Sequence, residues 1–300
     1  MRHDILWMLV LPFCAWGIES PDERLKKILT ADNIAIAEIA GWIEKNRKVL
    51  RANVGEREYL TFRIRKRLDI IRQMYTSFLK DHPKHSKARV AYGSFLTHID
   101  NRRGALGQWK KALADDPSNA AALNNIATHL GAIAIQNNIH THIPEAFQSL
   151  EKAITLSPKE TLYRHNFATA LSLFQLDAMN HYNITAEEVT KRALVELEKC
   201  MELAPDNFEI AADRAETFLD IKPLPRKRAL EAWENARNRA EQRIQLDWVN
   251  LQIAIVHLET NHLDEAKKYL ALVSKDSFQK LAHDLRTALL HKREQKKPKP

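Results

Sequence analysis

Prolines and small residues recur at one fixed spacing along this chain. At four places a proline is followed ten residues later by glycine or alanine, and the same proline ends a pattern of small or apolar residues at steps of four, three and five. Small residues let two helix axes approach to about 8–10 Å, and proline ends a helix because it lacks an N–H group and clashes with the preceding turn. The spacing therefore predicts pairs of helices repeated along the chain. The proline and small-residue pairs are Pro83 and Gly93, Pro117 and Ala127, Pro158 and Ala168, and Pro205 and Ala215.

This arrangement resembles the tetratricopeptide repeat (TPR) family, whose unit of about 34 residues is a pair of helices, A and B. The resemblance rests on a small residue in helix A, followed in helix B by a small, a bulky and a second small or apolar residue. The five sets are Gly93, Ala105, Trp109 and Ala112; Ala127, Ala146, Leu150 and Ala153; Ala168, Ala193, Leu197 and Cys200; Ala215, Ala229, Trp233 and Ala236; and Ala254, Ala266, Leu270 and Val273. The family's tryptophan and leucine early in helix A are absent.

The resemblance implies an all-α protein, a right-handed superhelical solenoid of helix-turn-helix repeats. The composition agrees, because only 7 glycines leave little room for tight β-hairpin turns. We predict a signal peptide over residues 1–17, a helical N-terminal cap with a degenerate repeat over 18–83, and TPR-like repeats over 84–275. A capping helix over 276–291 and a basic disordered tail over 292–300 complete the predicted order.

Two of the repeats are longer than the family's unit. The prolines at 117 and 158 are 41 residues apart, and those at 158 and 205 are 47 apart. The extra residues lie between helix A and helix B, at about 136–144 and 176–185. Because these are equivalent turns of adjacent repeats, the inserted segments are expected to stand side by side at one edge of the solenoid. Long loops in compact arrays often carry function, so this edge is one candidate site for a partner.

The chain has no motif that indicates catalysis. A Walker loop, Gly-x-Gly-x-x-Gly, Gly-x-Ser-x-Gly, His-Glu-x-x-His and Cys-x-x-Cys are all missing from the sequence. We therefore predict no enzyme, no cofactor and no metal site. Cys200 stands at a small packing position, where a buried and inert thiol is expected.

In the TPR family, peptides usually lie in a concave groove lined by the A helices, and the resemblance assigns eight residues to that groove. An asparagine amide can donate to and accept from a peptide backbone at once, and carboxylates spaced four and three residues apart share a helix face that favours lysine or arginine. A solvated helix face is the alternative interpretation. The chain is expected to be a scaffold or adaptor for a protein or an extended peptide. The assigned residues are Asn124, Asn125, His165, Asn166, Glu209, Asp213, Glu216 and Gln252.

The formal charge of +8 is concentrated in two short segments. Residues 63–72 and 292–299 each carry a net charge of +4, so the repeats themselves are close to neutral. A neutral body argues against specific nucleic-acid binding, which depends on many phosphate contacts. The two segments leave open an alternative function, a cationic protein that docks peripherally on anionic membrane or polyanion through residues 63–72 and the C-terminal basic patch.

The first residues have the order of a secretory signal. Arg2 and Asp4 precede an apolar run over residues 5–14, and Ala15-Trp16-Gly17 follows as a cleavage site. The run is too short to span a membrane. The sequence therefore predicts an exported protein, periplasmic or secreted.

If residues 1–17 are a signal peptide, the mature protein should begin near Ile18. N-terminal sequencing or intact-mass measurement of protein from its native host checks this expectation. Recovery of chains that still begin at Met1 from the cytosol would contradict the predicted export.

Overall fold

A computed structural model describes residues 19–47, 54–274 and 276–295 and is helical almost throughout. Within those residues there are fourteen α-helices and one 3₁₀ turn, and none of the described residues is in a β-strand. The chain divides into two compact units, Met1–Asp115 and Asp116–Pro300. The predicted signal peptide over 1–17 and residues 296–300 of the predicted tail lie outside the described residues.

The described residues of the first unit form four helices. A capping box starts the first helix, because the Ser20 side chain accepts from the Glu23 amide while the Glu23 carboxylate accepts from the Ser20 amide. The first two helices are joined inside by the buried Tyr75 hydroxyl, which donates to Asp32 over 2.9 Å. The last two form the first complete helix pair. The helices are α1 (Pro21–Asn46), α2 (Val54–Asp81), α3 (Ser86–His98) and α4 (Arg102–Asp115).

The second unit holds the remaining helices, and its pairs α5 with α6, α7 with α9, α10 with α11 and α12 with α13 pack most extensively against each other. These are the predicted A and B helices, so the predicted pairing is confirmed. The helices are α5 (Ala120–Asn137), α6 (Ile143–Leu156), α7 (Thr161–Leu173), α8 (Gln175–Tyr182), α9 (Ala186–Leu203), α10 (Phe208–Thr217), α11 (Arg226–Arg237), α12 (Arg243–Glu259), α13 (Leu263–Leu272) and α14 (Gln279–Gln295), with a 3₁₀ turn at Phe218–Asp220.

The small residues that define the repeat lie inside the helix pairs. All of them are buried, from Gly93 in the first pair to Val273 in the last. At Gly93 the fit is tight, since a Cβ atom placed there would lie 2.3 Å from Nε1 of Trp109. The same indole nitrogen donates to the carbonyl of Val90 over 3.2 Å. The absence of a side chain at residue 93 therefore sets how closely α3 and α4 can pack.

Each of the four prolines is followed two residues later by the residue that caps the next A helix. The capping side chains accept a hydrogen bond from a backbone N–H of the first turn, which satisfies one of the donors that a helix start leaves unpaired. The proline thus ends one helix while its neighbour starts the next. The caps are His85, Asn119, Glu160 and Asn207.

The second insertion is largely helical, which corrects the prediction of a long loop there, whereas residues 138–142 of the first insertion lie outside the helices. The first lengthens α5 to Asn137, and the second forms most of a separate helix, α8, that ends at Asn183 in a left-handed conformation with φ of 52°. The two insertions lie side by side as expected, because Nδ1 of His140 in the first lies 2.8 Å from Oδ2 of Asp177 in the second. These segments therefore form an ordered edge of the second unit.

Much of the basic charge serves to attach helices to each other. The Arg63 guanidinium lies 3.9 Å from the centre of the Trp42 ring, and Arg67 pairs with Glu38 over 2.6 Å. At the other end, Lys292 donates to the carbonyl of Leu258 over 2.7 Å. Both basic segments thus contribute contacts between helices. The alternative function, peripheral docking on anionic membrane or polyanion, is not favoured.

The C-terminal helix occupies the region predicted for a capping helix and extends beyond it. Helix α14 packs on α12 and α13 and ends at Gln295, so residues 292–295 are helical and not part of a tail. Among the described helices, none has both the length and the apolar character that crossing a membrane requires.

Replacing Gly93 by alanine should destabilise the protein by up to about 2 kcal/mol. Alanine gains about 1 kcal/mol of helix propensity over glycine, but overpacking against the buried Trp109 costs about 1–3 kcal/mol or more. Gly107, on α4, is the matched control, because a Cβ atom there meets nothing within 4 Å. Gly107→Ala should therefore stabilise by up to about 1 kcal/mol. Urea unfolding of both variants measures the difference, and equal stability of the two would show that the helix crossing is misplaced.

Candidate functional site

Amide side chains connect the A helices of neighbouring repeats in the second unit. Nδ2 of Asn166 on α7 donates to Oδ1 of Asn124 on α5 over 2.8 Å, and Nδ2 of Asn124 donates to Oδ1 of Asn125 over 3.2 Å. Asn124 is only 3% exposed. The assigned groove residues Asn125 and Asn166 are therefore connected through Asn124, and part of their hydrogen-bonding capacity is used within the protein.

A second polar contact continues this row to the next A helix. Nε2 of His165 on α7 lies 2.6 Å from Oδ2 of Asp213 on α10, an ion pair when the imidazole is protonated. Together with the amides, this contact connects α5, α7 and α10 in order. Five of the eight residues assigned from the resemblance, Asn124, Asn125, His165, Asn166 and Asp213, are thus brought together.

An acidic pocket of about 320 Å³ lies between α7 and α10. Asp213, Glu216 and Asp220 line it from α10 and from the 3₁₀ turn that follows, and Thr169 and Leu173 line it from α7. Desolvation by the surrounding protein raises the pKa of Glu216, and the charges of Asp213 and Asp220 add to this effect. Desolvation likewise raises the pKa of Asp220, although Lys222 opposes it. The pocket therefore concentrates negative charge that the protein neutralises only in part.

An apolar pocket of about 210 Å³ adjoins the acidic one on the other side of α7. Thr169 and Leu173 line both pockets, so the two lie side by side with α7 between them. Two side chains at the apolar pocket are unusually exposed for their type, Ile135 at 65% and Leu173 at 60%. We call the two pockets together the two-pocket surface. The remaining lining of the apolar pocket is Ala127, Thr128, Gly131, Ala132, Ala146, Leu150, Asn166, Ala170 and Phe174.

Two of the assigned residues lie apart from this surface. Glu209 is exposed and lines neither pocket. Gln252 is 4% exposed because α12 is buried along most of its length, and no described residue bonds to its Oε1 atom. Gln252 stands two residues before Ala254, as Asn125 and Asn166 stand two residues before Ala127 and Ala168. This repeat position is thus enclosed in the last pair and not presented to solvent.

Apart from Asn166, the residues that line the apolar pocket were not among the predicted site residues. Leu173 and Thr169 stand seven and three residues after Asn166, so helical spacing places them on the face of α7 that carries the amide. Extending the predicted face by one helical turn would have found them. Ile135 has no such signal, because it lies beyond the turn at which a repeat of ordinary length would end its first helix.

The lone cysteine of the described residues lies in the environment of a packing residue. Cys200 is fully buried, and its Sγ atom lies 3.6 Å from the carbonyl oxygen of Thr161. Burial raises the pKa of the thiol to about 11, with Glu196 contributing. The thiol therefore stays protonated, as expected of a packing residue.

Solved structures that superpose on the chain are repeat proteins of low sequence identity. YrrB, described as a TPR protein with an unusual peptide-binding site, is 16% identical, with 73% of this chain and 97% of that one covered at a TM-score of 0.51. The C-terminal part of a TPR repeat-containing protein from Cytophaga hutchinsonii is 15% identical, with 87% and 97% covered at a TM-score of 0.54. The chain has the tetratricopeptide repeat fold. The predicted fold class, an all-α TPR solenoid, is therefore confirmed.

The same TPR fold extends over other structures of similar size. PilF of Pseudomonas aeruginosa is 16% identical, with 87% of this chain and 99% of that one covered at a TM-score of 0.55. No protein-family model matches the sequence, and no curated protein is significantly similar to it. At identities near 16%, the likeness is one of backbone fold.

Replacing Glu216 by glutamine should stabilise the protein at pH 7. The pKa of Glu216 is raised in the folded state, so its protonated form favours folding below the ordinary value of 4.5, and this contribution is lost as the pH rises through the folded pKa. Glutamine removes the repulsion from Asp213 and Asp220, worth about 0.2–0.5 kcal/mol for each like-charge pair. Urea unfolding at pH 7 and pH 4 measures the gain, which should shrink at pH 4. Glu202→Gln, at an exposed site on α9, is the control, and an equal gain in both variants would contradict the assignment.

Proposed function

We propose that this chain is a non-catalytic interaction scaffold that binds an extended segment of another protein across α5, α7 and α10. The observation that carries the proposal is the two-pocket surface, in which an apolar and an acidic pocket adjoin on the A helices of three consecutive repeats. Protein and peptide binding is the use to which the TPR fold is most commonly put. No cofactor enters the proposal.

The chemistry of the surface suits a segment that lies across the helices. The amides of Asn125 and Asn166 can exchange hydrogen bonds with a peptide backbone, and the pockets accept side chains on either side of α7. Because Ala127 and Ala168 hold the A helices against their B helices, the surface is formed before the ligand arrives. A preformed surface lowers the ordering cost of binding.

We further propose that binding takes place outside the cytoplasm, in the periplasm or after secretion. Support comes from the signal-like order of charged, apolar and small residues over 1–17. The partner would then be another exported protein.

The edge formed by the two insertions is a second candidate for contact with the partner. Leu176 on α8 is 73% exposed and Ile139 in the first insertion is 45% exposed. The His140–Asp177 contact holds the two insertions together. A partner that docks on this edge would leave the two-pocket surface empty, so the two sites can be separated by experiment.

Replacing the amides by alanine is a poor test of binding. Loss of Asn166 would remove the donor that satisfies the buried Asn124 carbonyl, at a cost of about 1–3 kcal/mol in stability. Reduced binding would then mix a local contact with a weakened fold. A probe on an exposed side chain avoids this problem.

We expect a photo-crosslinking residue, p-benzoyl-phenylalanine, at Thr169 to capture the partner in cells of the native host. Thr169 is exposed and lines both pockets. The same probe at Leu176 tests the insertion edge, and at the exposed Glu202 on α9 it reports non-specific capture. A product specific to residue 169, identified by mass spectrometry, supports the proposal. Capture at residue 176 alone would place the partner at the edge and contradict it.

A further inference from the structure

We propose that the two-pocket surface selects a segment in which an apolar side chain stands two or three residues from lysine or arginine. The proposal rests on the scaffold function above and specifies the chemistry of its ligand. Each half of the surface contributes one element of this specificity. The spacing follows from the way in which α7 separates the two pockets.

The apolar pocket has room for one side chain of the ligand. A cavity of about 150 Å³ holds a benzene molecule, so about 210 Å³ accommodates a leucine or phenylalanine side chain. Ile135 and Leu173 leave most of their surface in water. Covering them with an apolar group is favourable in proportion to the area removed from water.

The acidic pocket selects the charge of the ligand. Asp213 already has a partner in His165, but among the described residues no cationic group lies within ion-pairing distance of Glu216 or Asp220. Lys222 acts on Asp220 only at longer range. A lysine or arginine of the ligand would relieve the repulsion among these carboxylates, whereas an acidic segment would increase it. Complementarity of this kind chooses between partners more strongly than it adds affinity.

The width of α7 sets the distance between the two elements. Neighbouring packed helices lie about 8–10 Å apart, and the pockets lie on either side of α7, so their centres are separated by about one such interval. An extended chain advances about 3.3–3.6 Å for each residue. Two or three residues therefore carry the chain from one pocket to the other.

The test uses fluorescein-labelled dodecapeptides of glycine and serine that carry a leucine and, three residues later, two arginines. Binding to the purified mature chain is measured by fluorescence anisotropy. Peptides with glutamates in place of the arginines, with serine in place of leucine, or with a spacing of eight residues are the comparisons. The complete peptide should bind at least tenfold more tightly than each of them.

Variants of the protein identify the surface. Leu173→Ser should weaken binding of the complete peptide about tenfold, and Glu216→Lys should weaken it about fivefold. The Glu216→Lys variant should also bind the glutamate peptide more tightly than the original protein does. Leu203→Ser and Glu202→Lys change matched exposed residues on α9 and should leave binding unchanged. Circular dichroism and thermal unfolding establish that all four variants fold.

Panning a random dodecapeptide display library on the same protein separates failure of this inference from failure of the scaffold function. Selected peptides that lose binding in Leu173→Ser but show no enrichment of basic residues near an apolar one would overturn the specificity and leave the function standing. Failure to select any peptide sensitive to Leu173→Ser would overturn both. Self-association that Glu216→Lys abolishes, without peptide binding, would assign the surface to a second copy and overturn the proposal as well.

Discussion

The close approach of two helices at a small residue is the contact on which the rest of this fold depends. At Gly93 the indole of Trp109 fills the space that a side chain would occupy, and in the second unit alanines serve the same purpose at Ala127, Ala168 and Ala215. Each A helix is therefore held by its own B helix with little freedom to shift. This packing fixes the positions of the side chains that neighbouring A helices present to one another. Single contacts such as the hydrogen bond from Asn166 to Asn124 can therefore connect neighbouring repeats.

The parts of the fold that the sequence predicts are those in which one residue type is needed for a steric reason. Small residues at crossings and prolines at helix ends predicted the helix pairs, and the buried residues confirm the pairing. Helix α8 was missed, because an insertion is recognised by its length and not by its conformation. Its residues have no prolines or glycines to break a helix, and Asn183 ends it in the left-handed conformation that asparagine tolerates. The sequence therefore does contain a signal for this helix.

The candidate site was less predictable, because neighbouring side chains decide what each position does. Equivalent repeat positions suggested that Asn125 and Asn166 would act together, whereas Asn124 makes the bond to Asn166. Gln252 occupies the same repeat position in the last pair but is enclosed. The apolar pocket depends on Ile135, which an extended α5 carries beyond the length of an ordinary repeat. None of these outcomes follows from spacing within a single repeat, since each requires knowledge of the adjacent helix.

The acidic pocket keeps a negative charge because the arginines of α7 and α10 form their ion pairs elsewhere. Arg164 on α7 pairs with Glu196 over 2.6 Å, and Arg214 on α10 bonds to Glu198 over 3.3 Å. Both glutamates belong to α9, so these cations attach A helices to a B helix and do not reach the pocket. Neither arginine therefore offsets the charge of Glu216 and Asp220, although Lys222 acts on Asp220 at longer range. The ion pairs that hold the helices together and the charge offered to a ligand are thus two consequences of one arrangement.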